Sequence, residues 1–197
     1  GQWWVVMAAV ALGYVALIFL LGVFPTGLIG FLPAILFCAI PLAALAYAAG
    51  GAWKAIFRPL RGIDFVWMVV FYVLTFIVTM IVGFITIIFL PYDTNPAGAI
   101  IAEASQLEKI LFFFKAAIQL LGEELFTILP FLAILTWLVS SRGMSRTAAI
   151  ALSALAVGII FAVVHLPTYQ WNYGQALVGL VPIRLVLLLP YIVTKNI

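Results

Sequence analysis

The sequence predicts an all-α fold, a polytopic bundle with about six transmembrane helices in this chain. Hydrophobic residues make up 68% of its 197 positions and charged residues only 8%, whereas soluble domains are about 45–50% apolar and about 25% charged. The apolar stretches are also long and continuous. That pattern is typical of membrane helices and not of barrel strands, in which polar and apolar residues alternate. Too few polar side chains are present to cover a surface in water, which excludes a soluble globule.

Six stretches are close to, or longer than, the roughly 20 apolar residues that a membrane-spanning helix needs. The predicted spans are 3–24, 28–49, 63–90, 109–139, 147–165 and 174–193. Glycine, proline and polar residues separate several of them, as in the Pro-Tyr-Asp-Thr-Asn-Pro segment at 91–96. The first span follows no basic segment and leads straight into the second, so it is not interpreted as a cleaved signal peptide. We expect residues 1–197 to form a single membrane-embedded domain.

Basic residues concentrate in two of the connections between spans. They are Lys54, Arg58 and Arg61 before the third span, and Arg142 and Arg146 before the fifth. The connection 91–108 carries three acidic residues and no basic residue. The positive-inside rule therefore places the basic connections and both termini in the cytoplasm, and 91–108 outside the cell membrane. The net charge of +3 reflects this topology, and we expect no nucleic-acid partner.

Ionisable side chains inside the spans are functional candidates, because a charge in the bilayer core costs roughly 2.5–3.5 kcal/mol on insertion scales. These candidates are Lys115, Glu123, Glu124 and Arg184, together with His165, the only histidine, at the end of the fifth span. Buried ion pairs between such residues can also serve only to hold helices together. For the glutamates, that alternative is a pair with Arg184.

The fourth span carries a polar stripe. Lys115, Gln119, Glu123 and Thr127 recur every four residues, so they share one face of a helix. Such a face must contact protein or a water-filled cavity, and we expect His165 to reach the same cavity. Two adjacent carboxylates, Glu123 and Glu124, repel each other and are costly to desolvate, which favours one that takes a proton from water.

Two patterns in these spans resemble the first motifs of the CPBP family. Its members include CAAX prenyl endopeptidases and bacteriocin-processing membrane proteases, also called Abi proteins. The first family motif is a Glu-Glu pair followed one turn later by Arg, and the second is Phe-x-x-x-His. Glu123 and Glu124 match the first motif, but Ile128 stands at the Arg position. Phe161 and His165 match the second motif fully, and the resemblance covers roughly residues 105–197.

The resemblance implies an intramembrane endopeptidase that cleaves membrane-associated or lipidated peptides. Glu123 or Glu124 would be the general base that activates water, and His165 would bind a metal or donate to the oxyanion. Gln119 and Thr127 would support the glutamates. The expected partners are membrane lipids, a peptide or protein substrate, and other subunits of a membrane complex.

Zinc is the cofactor that this resemblance suggests, although the ligand set is incomplete in this chain. A catalytic zinc site has three protein ligands, and these residues offer one histidine and two glutamates. The family carries a further histidine in a later span, which would begin where this sequence stops. We therefore expect the chain to be C-terminally incomplete relative to the family. Metal-dependent and metal-free chemistry both stay open.

Two other functions are compatible with the sequence. A catalytically silent CPBP-like immunity or scaffold subunit is favoured by the missing Arg and the early chain end. A transporter or channel would use the stripe from Lys115 to Thr127 as a polar pathway. That function lacks the paired interrupted helices typical of inverted-repeat transporters.

Arg184 lies near the centre of the sixth span, between Pro182 and Pro190. Arginine stays protonated at that depth and needs an anion or water. We expect it to pair with Glu124 and so supply the cation that is missing at position 128. The alternative partners are a lipid headgroup or backbone carbonyls left without hydrogen bonds by the two prolines.

Overall fold

The computed structural model describes residues 2–24 and 27–197. Within these residues the chain forms seven α-helices and no β-strand. The helices are α1 Trp3–Val23, α2 Phe31–Ala49, α3 Gly62–Phe89, α4 Pro96–Glu103, α5 Gln106–Arg142, α6 Arg146–Val164 and α7 Val181–Thr194. Short 3₁₀ turns lie at Leu28–Gly30, Gly50–Ile56 and Leu166–Tyr169, and a π-helical segment, Gln175–Leu180, leads into α7.

Six helical segments of the described chain are long and apolar enough to cross a membrane. They are Trp3–Val23, Leu28–Ile56, Gly62–Phe89, Gln106–Arg142, Arg146–Val164 and Gln175–Thr194. Each overlaps one of the six predicted spans, and the predicted all-α fold is confirmed. The fourth segment is longer than predicted because the helix continues through polar residues at both of its ends. The protein is a multi-pass membrane protein.

Helix α3 has the exposed apolar surface that is expected of a lipid-facing helix. Only four of its residues are buried, and most of its large apolar side chains are exposed. Phe76 and Phe84, for example, are 58% and 65% exposed. In water, apolar surface of this kind costs about 25 cal/mol for each Å² left exposed. Lipid removes that cost, so the exposed face of α3 agrees with a membrane setting.

The connection 91–108 contains a short helix, α4. Pro96 starts this helix, and proline at the first helical position has a backbone angle already suited to the helix. Ser105 and Glu108 then cap the start of α5 reciprocally. Glu108 Oε2 accepts from the Ser105 N–H at 2.8 Å, and Ser105 Oγ accepts from the Glu108 N–H at 3.4 Å.

The chain divides into two compact units. The first comprises Gly1–Lys54 and Ala97–Ala133, and the second comprises Ala55–Pro96 and Ile134–Ile197. In the first unit, α1 and α2 pack as a pair. The buried residues of α1 are Val6, Val10, Gly13 and Leu17, which recur at helical spacing along one face.

In the second unit, α3 and α6 pack against α7. The start of the last span is joined to the residues after α3, because the Asn172 amide donates to the Pro91 carbonyl at 2.7 Å. The end of the span is joined to the residues before α3, because the Arg58 N–H donates to the Asn196 side chain at 2.8 Å. These two links show that the last span runs antiparallel to α3.

A charge in the middle of α3 tests the lipid-facing assignment. We expect Ile77→Arg to reduce membrane insertion of this helix by about 2.5–3.5 kcal/mol, because arginine at the centre of a span is costly to insert. The measurement is the inserted fraction in a glycosylation-mapping assay of the full chain. Ile77→Leu is the control and should insert normally. Equal insertion of the two variants would contradict a lipid-facing α3.

Candidate functional site

Glu123 lies midway along α5 and is held by two neighbours on the same helix face. The Gln119 side-chain amide donates to Glu123 Oε1 at 3.3 Å. The Thr127 hydroxyl, which is buried, donates to the Glu123 carbonyl oxygen at 3.0 Å. Three members of the polar stripe therefore contact one another in sequence order. Both Glu123 and Glu124 are half-buried, so part of each residue stays accessible from outside the protein.

The position of this glutamate pair is set by a close helix contact at Gly122. A Cβ atom on Gly122 would lie 2.3 Å from Phe37 Cδ1, which is far too close for two carbon atoms. Phe37 is only 1% exposed and is enclosed by Tyr14 and Phe126, at ring-centroid distances of 6.5 and 6.1 Å. The neighbouring Cys38 thiol donates to the Ile118 carbonyl at 3.0 Å. Residues 118–122 of α5 thus lie directly against α2.

Lys115, the first member of the predicted stripe, borders a separate cavity in the first unit. This cavity has a volume of about 500 Å³. Its polar lining consists of Glu103, Glu108 and Lys115, and Phe31, Ile100 and Phe112 are among its apolar residues. Glu123 and Glu124 do not line it. Lys115 therefore borders a cavity beside α4 and the start of α5.

His165 ends α6 in the second unit, and its ring orientation is fixed. Its Nδ1 atom lies 2.7 Å from the Phe161 carbonyl oxygen. A carbonyl oxygen can only accept a hydrogen bond, so Nδ1 carries the proton. In the neutral ring, Nε2 then holds the lone pair and is the atom available as a base or ligand. The Phe161 and His165 rings also contact each other, with centroids 4.3 Å apart.

Arg184 contacts the same phenylalanine. It is 2% exposed, and its guanidinium carbon lies 5.0 Å from the centre of the Phe161 ring. A guanidinium over an aromatic face at this distance forms a cation–π interaction. Phe161 thus contacts both His165 and Arg184. Sequence reasoning identified Phe161 only as part of a motif, and the structure gives it this packing role.

A polar cluster at the start of the last span was not identified from the sequence. The Gln175 side chain accepts from the Asp93 N–H and donates to the Asp93 carbonyl, both at 2.8 Å. Asn172 Oδ1 accepts from the Gln175 N–H at 3.0 Å and so caps the helix start. Nearby, burial raises the pKa of the Tyr169 phenol, an effect that a hydrogen bond with Asn95 opposes. The only signal in the sequence was a glutamine opening an apolar span.

The structure groups the predicted site residues in two sets. Gln119, Glu123, Glu124 and Thr127 belong to the first unit, and His165 and Arg184 belong to the second. Convergence of the glutamates with His165 therefore stays a prediction, as does the pairing of Arg184 with Glu124. In residues 2–24 and 27–197, no three His, Cys, Asp or Glu side chains form a group that could hold a metal ion. A zinc cofactor therefore stays a prediction, and we derive no step through a metal.

Comparisons with protein-family models, curated proteins and solved structures found no match to this chain. The resemblance to the CPBP family rests on the two motifs alone.

The contact between Gly122 and Phe37 predicts that alanine at position 122 destabilises the protein, the opposite of the usual effect of replacing a glycine within a helix. Glycine to alanine in a helix interior ordinarily stabilises by up to about 1 kcal/mol. We expect Gly122→Ala instead to lower the free energy of unfolding by about 1–3 kcal/mol, because the new methyl group would overlap a buried ring. The measurement is thermal or denaturant unfolding in detergent. Gly83→Ala is the matched control, since nothing lies within 4 Å of its added Cβ.

A second substitution shows whether the Phe37 ring is the cause. Phe37→Ala removes the whole ring, including the Cδ1 atom that the added Cβ would meet, so Gly122→Ala should cost less in a Phe37→Ala background than in the native chain. Equal costs in the two backgrounds would show that α5 and α2 are not in contact at this position.

Proposed function

We propose that the protein is an intramembrane endopeptidase of the CPBP type, which hydrolyses membrane-associated or lipidated peptides. The observation that carries the proposal is the orientation of His165. Its Nδ1 atom donates to the Phe161 carbonyl oxygen at an N···O distance of 2.7 Å, so Nε2 is the ring nitrogen that can act as a base or ligand. Histidines held in this way are common among catalytic bases and metal ligands.

The glutamates supply the second part of the proposal. Glu123 Oε1 accepts from Gln119, so the carboxylate is held in place while its other oxygen can accept from water. The carboxylate takes a proton from water as the water oxygen bonds to the peptide carbonyl carbon. The carbon–nitrogen bond then breaks, and the carboxyl group returns the proton to the leaving nitrogen. Because Nδ1 is bonded to the Phe161 carbonyl, His165 would stabilise the negative charge on the substrate carbonyl oxygen through Nε2 when that nitrogen also carries a proton.

Loss of proteolysis in site variants tests this function. We expect Glu123→Gln, Glu124→Gln and His165→Ala each to reduce cleavage about 10²–10⁴-fold, the usual contribution of a general acid or base. Membranes that contain each variant would be incubated, and new peptide N-termini would be counted by mass spectrometry. Glu108→Gln is the control, because Glu108 is an exposed carboxylate on the same helix.

The outcomes of that experiment separate the candidate functions. Cleavage that depends on the site residues but not on Glu108 supports the protease. New N-termini that are equally abundant in native and variant membranes would contradict it. The catalytically silent immunity or scaffold subunit would then be the better account.

We also propose that the chain lies in the cell membrane with both termini in the cytoplasm. The support is the charge distribution of the second unit, where Arg58, Arg146 and Lys195 lie at one end of the antiparallel spans and Asp93 at the other. With Cys38 replaced by serine, a cysteine at exposed position 98 should react with an impermeant thiol reagent on intact cells. A cysteine at exposed position 58 should react only after the cells are opened. The opposite labelling pattern would reverse the orientation.

A further inference from the structure

One end of the second unit carries three basic side chains that come from distant parts of the chain. Arg58 precedes α3, Arg146 is the first residue of α6, and Lys195 directly follows α7. Arg58 and Arg146 are exposed and Lys195 is half-buried. All three lie at the boundary of a membrane span, the level at which lipid headgroups meet the protein.

Hydrogen bonds hold this end of the unit in a defined shape. The Arg58 N–H donates to Asn196 Oδ1 at 2.8 Å, and the Asn196 amide returns a bond to the Arg58 carbonyl at 3.0 Å. The Ile197 N–H donates to the Ile56 carbonyl at 3.0 Å. The Lys195 ammonium donates to the Ile192 carbonyl. The segment after α7 is therefore fastened to the segment before α3, which keeps Arg58 and Lys195 together.

The carboxylates of the second unit do not balance these three charges. The unit contains two acidic side chains, Asp64 and Asp93. Asp64 forms a salt bridge with Arg61 at 3.2 Å. Asp93 lies at the opposite end of the spans, beside Gln175. Burial, then the charges of Arg146 and Arg58, lower the pKa of Lys195, which agrees with both arginines lying at the same end of the unit as this lysine.

We propose that Arg58, Arg146 and Lys195 bind the phosphate of an anionic phospholipid in the adjacent leaflet. Arginine forms paired hydrogen bonds to phosphate oxygens. The N-terminus of α6, capped by Ser145, adds the favourable end of a helix dipole beside Arg146. Basic pockets between transmembrane helices are recognised sites for anionic headgroups.

The surroundings favour a lipid over a soluble phosphate. Ile63, at the start of α3, and Val193, at the end of α7, are 50% and 46% exposed. These apolar side chains lie on the membrane side of the basic residues, where acyl chains would cover them. A soluble anion would neutralise the charges without contacting this apolar surface, whereas a single phospholipid can contact both.

Lipid titration of the purified full chain in detergent tests the proposal. The probe is fluorescent phosphatidylglycerol, with phosphatidylcholine as the zwitterionic comparison. The site variant combines Arg58→Gln, Arg146→Gln and Lys195→Gln. Each basic residue near an anionic surface contributes about fivefold in affinity, so the site variant should bind phosphatidylglycerol about a hundredfold more weakly. Phosphatidylcholine binding should not change.

A second variant with the same net charge is the control. It combines Lys54→Gln, Lys109→Gln and Arg142→Gln, and it should keep nearly native affinity for phosphatidylglycerol. An equal loss in both variants would show general charge attraction and overturn the proposal. Inorganic phosphate at the same concentration should not displace the lipid, and displacement would assign the cluster to a soluble anion instead.

A single variant covers the case in which the triple site variant does not fold. Arg146 is exposed at a helix start, so Arg146→Gln should leave the fold intact and weaken phosphatidylglycerol binding about fivefold. Native affinity in a folded Arg146→Gln protein would contradict a site that includes this residue.

Discussion

Lipid offers no hydrogen bonds to polar groups within a span, and this constraint governs how the chain places them. Several polar side chains bond to the carbonyl one turn back in their own helix. These bonds run from Thr86 to Val82 at 2.8 Å, from Thr127 to Glu123 at 3.0 Å, from Thr194 to Pro190 at 2.8 Å, and from His165 to Phe161 at 2.7 Å. Each needs no second helix, so a polar side chain can enter a span without a partner elsewhere.

In the second unit, several hydrogen bonds between distant segments lie at the ends of the spans. Gln175 bonds to Asp93 at one end of the second unit, and Asn196 bonds to Arg58 at the other. In the first unit, close packing is prominent midway along the helices, as where Gly122 meets the Phe37 ring. The half-buried carboxylates of Glu123 and Glu124 are an exception, because they lie in the middle of α5 and not at the end of a span. Because such groups are costly in a membrane, that exception is the physical reason to look for chemistry there.

The sequence predicts those structural features that depend on a single stretch of the chain. Membrane thickness acts on each apolar run separately, so the six spans follow from length and composition. The spacing of Gln119, Glu123 and Thr127 is equally local, and the structure shows the contacts that it implies. Gly122 and Phe37 are far apart in the sequence, and neither residue type indicates which residue it will contact. The predicted convergence of the glutamates with His165 would depend on packing of the same long-range kind.

The π-helical segment Gln175–Leu180 changes which residues of the last span can face inward together. Gln175 and Arg184 are both buried, at 5% and 2% exposure. In a uniform α-helix, residues nine positions apart point about half a turn away from each other, since each residue advances about 100°. A π turn takes in an extra residue for the same advance around the axis, which reduces that angle. The π-helical segment therefore brings the directions of the Gln175 and Arg184 side chains about the helix axis closer together. A one-residue deletion within it would turn every side chain after it by about a quarter of a turn.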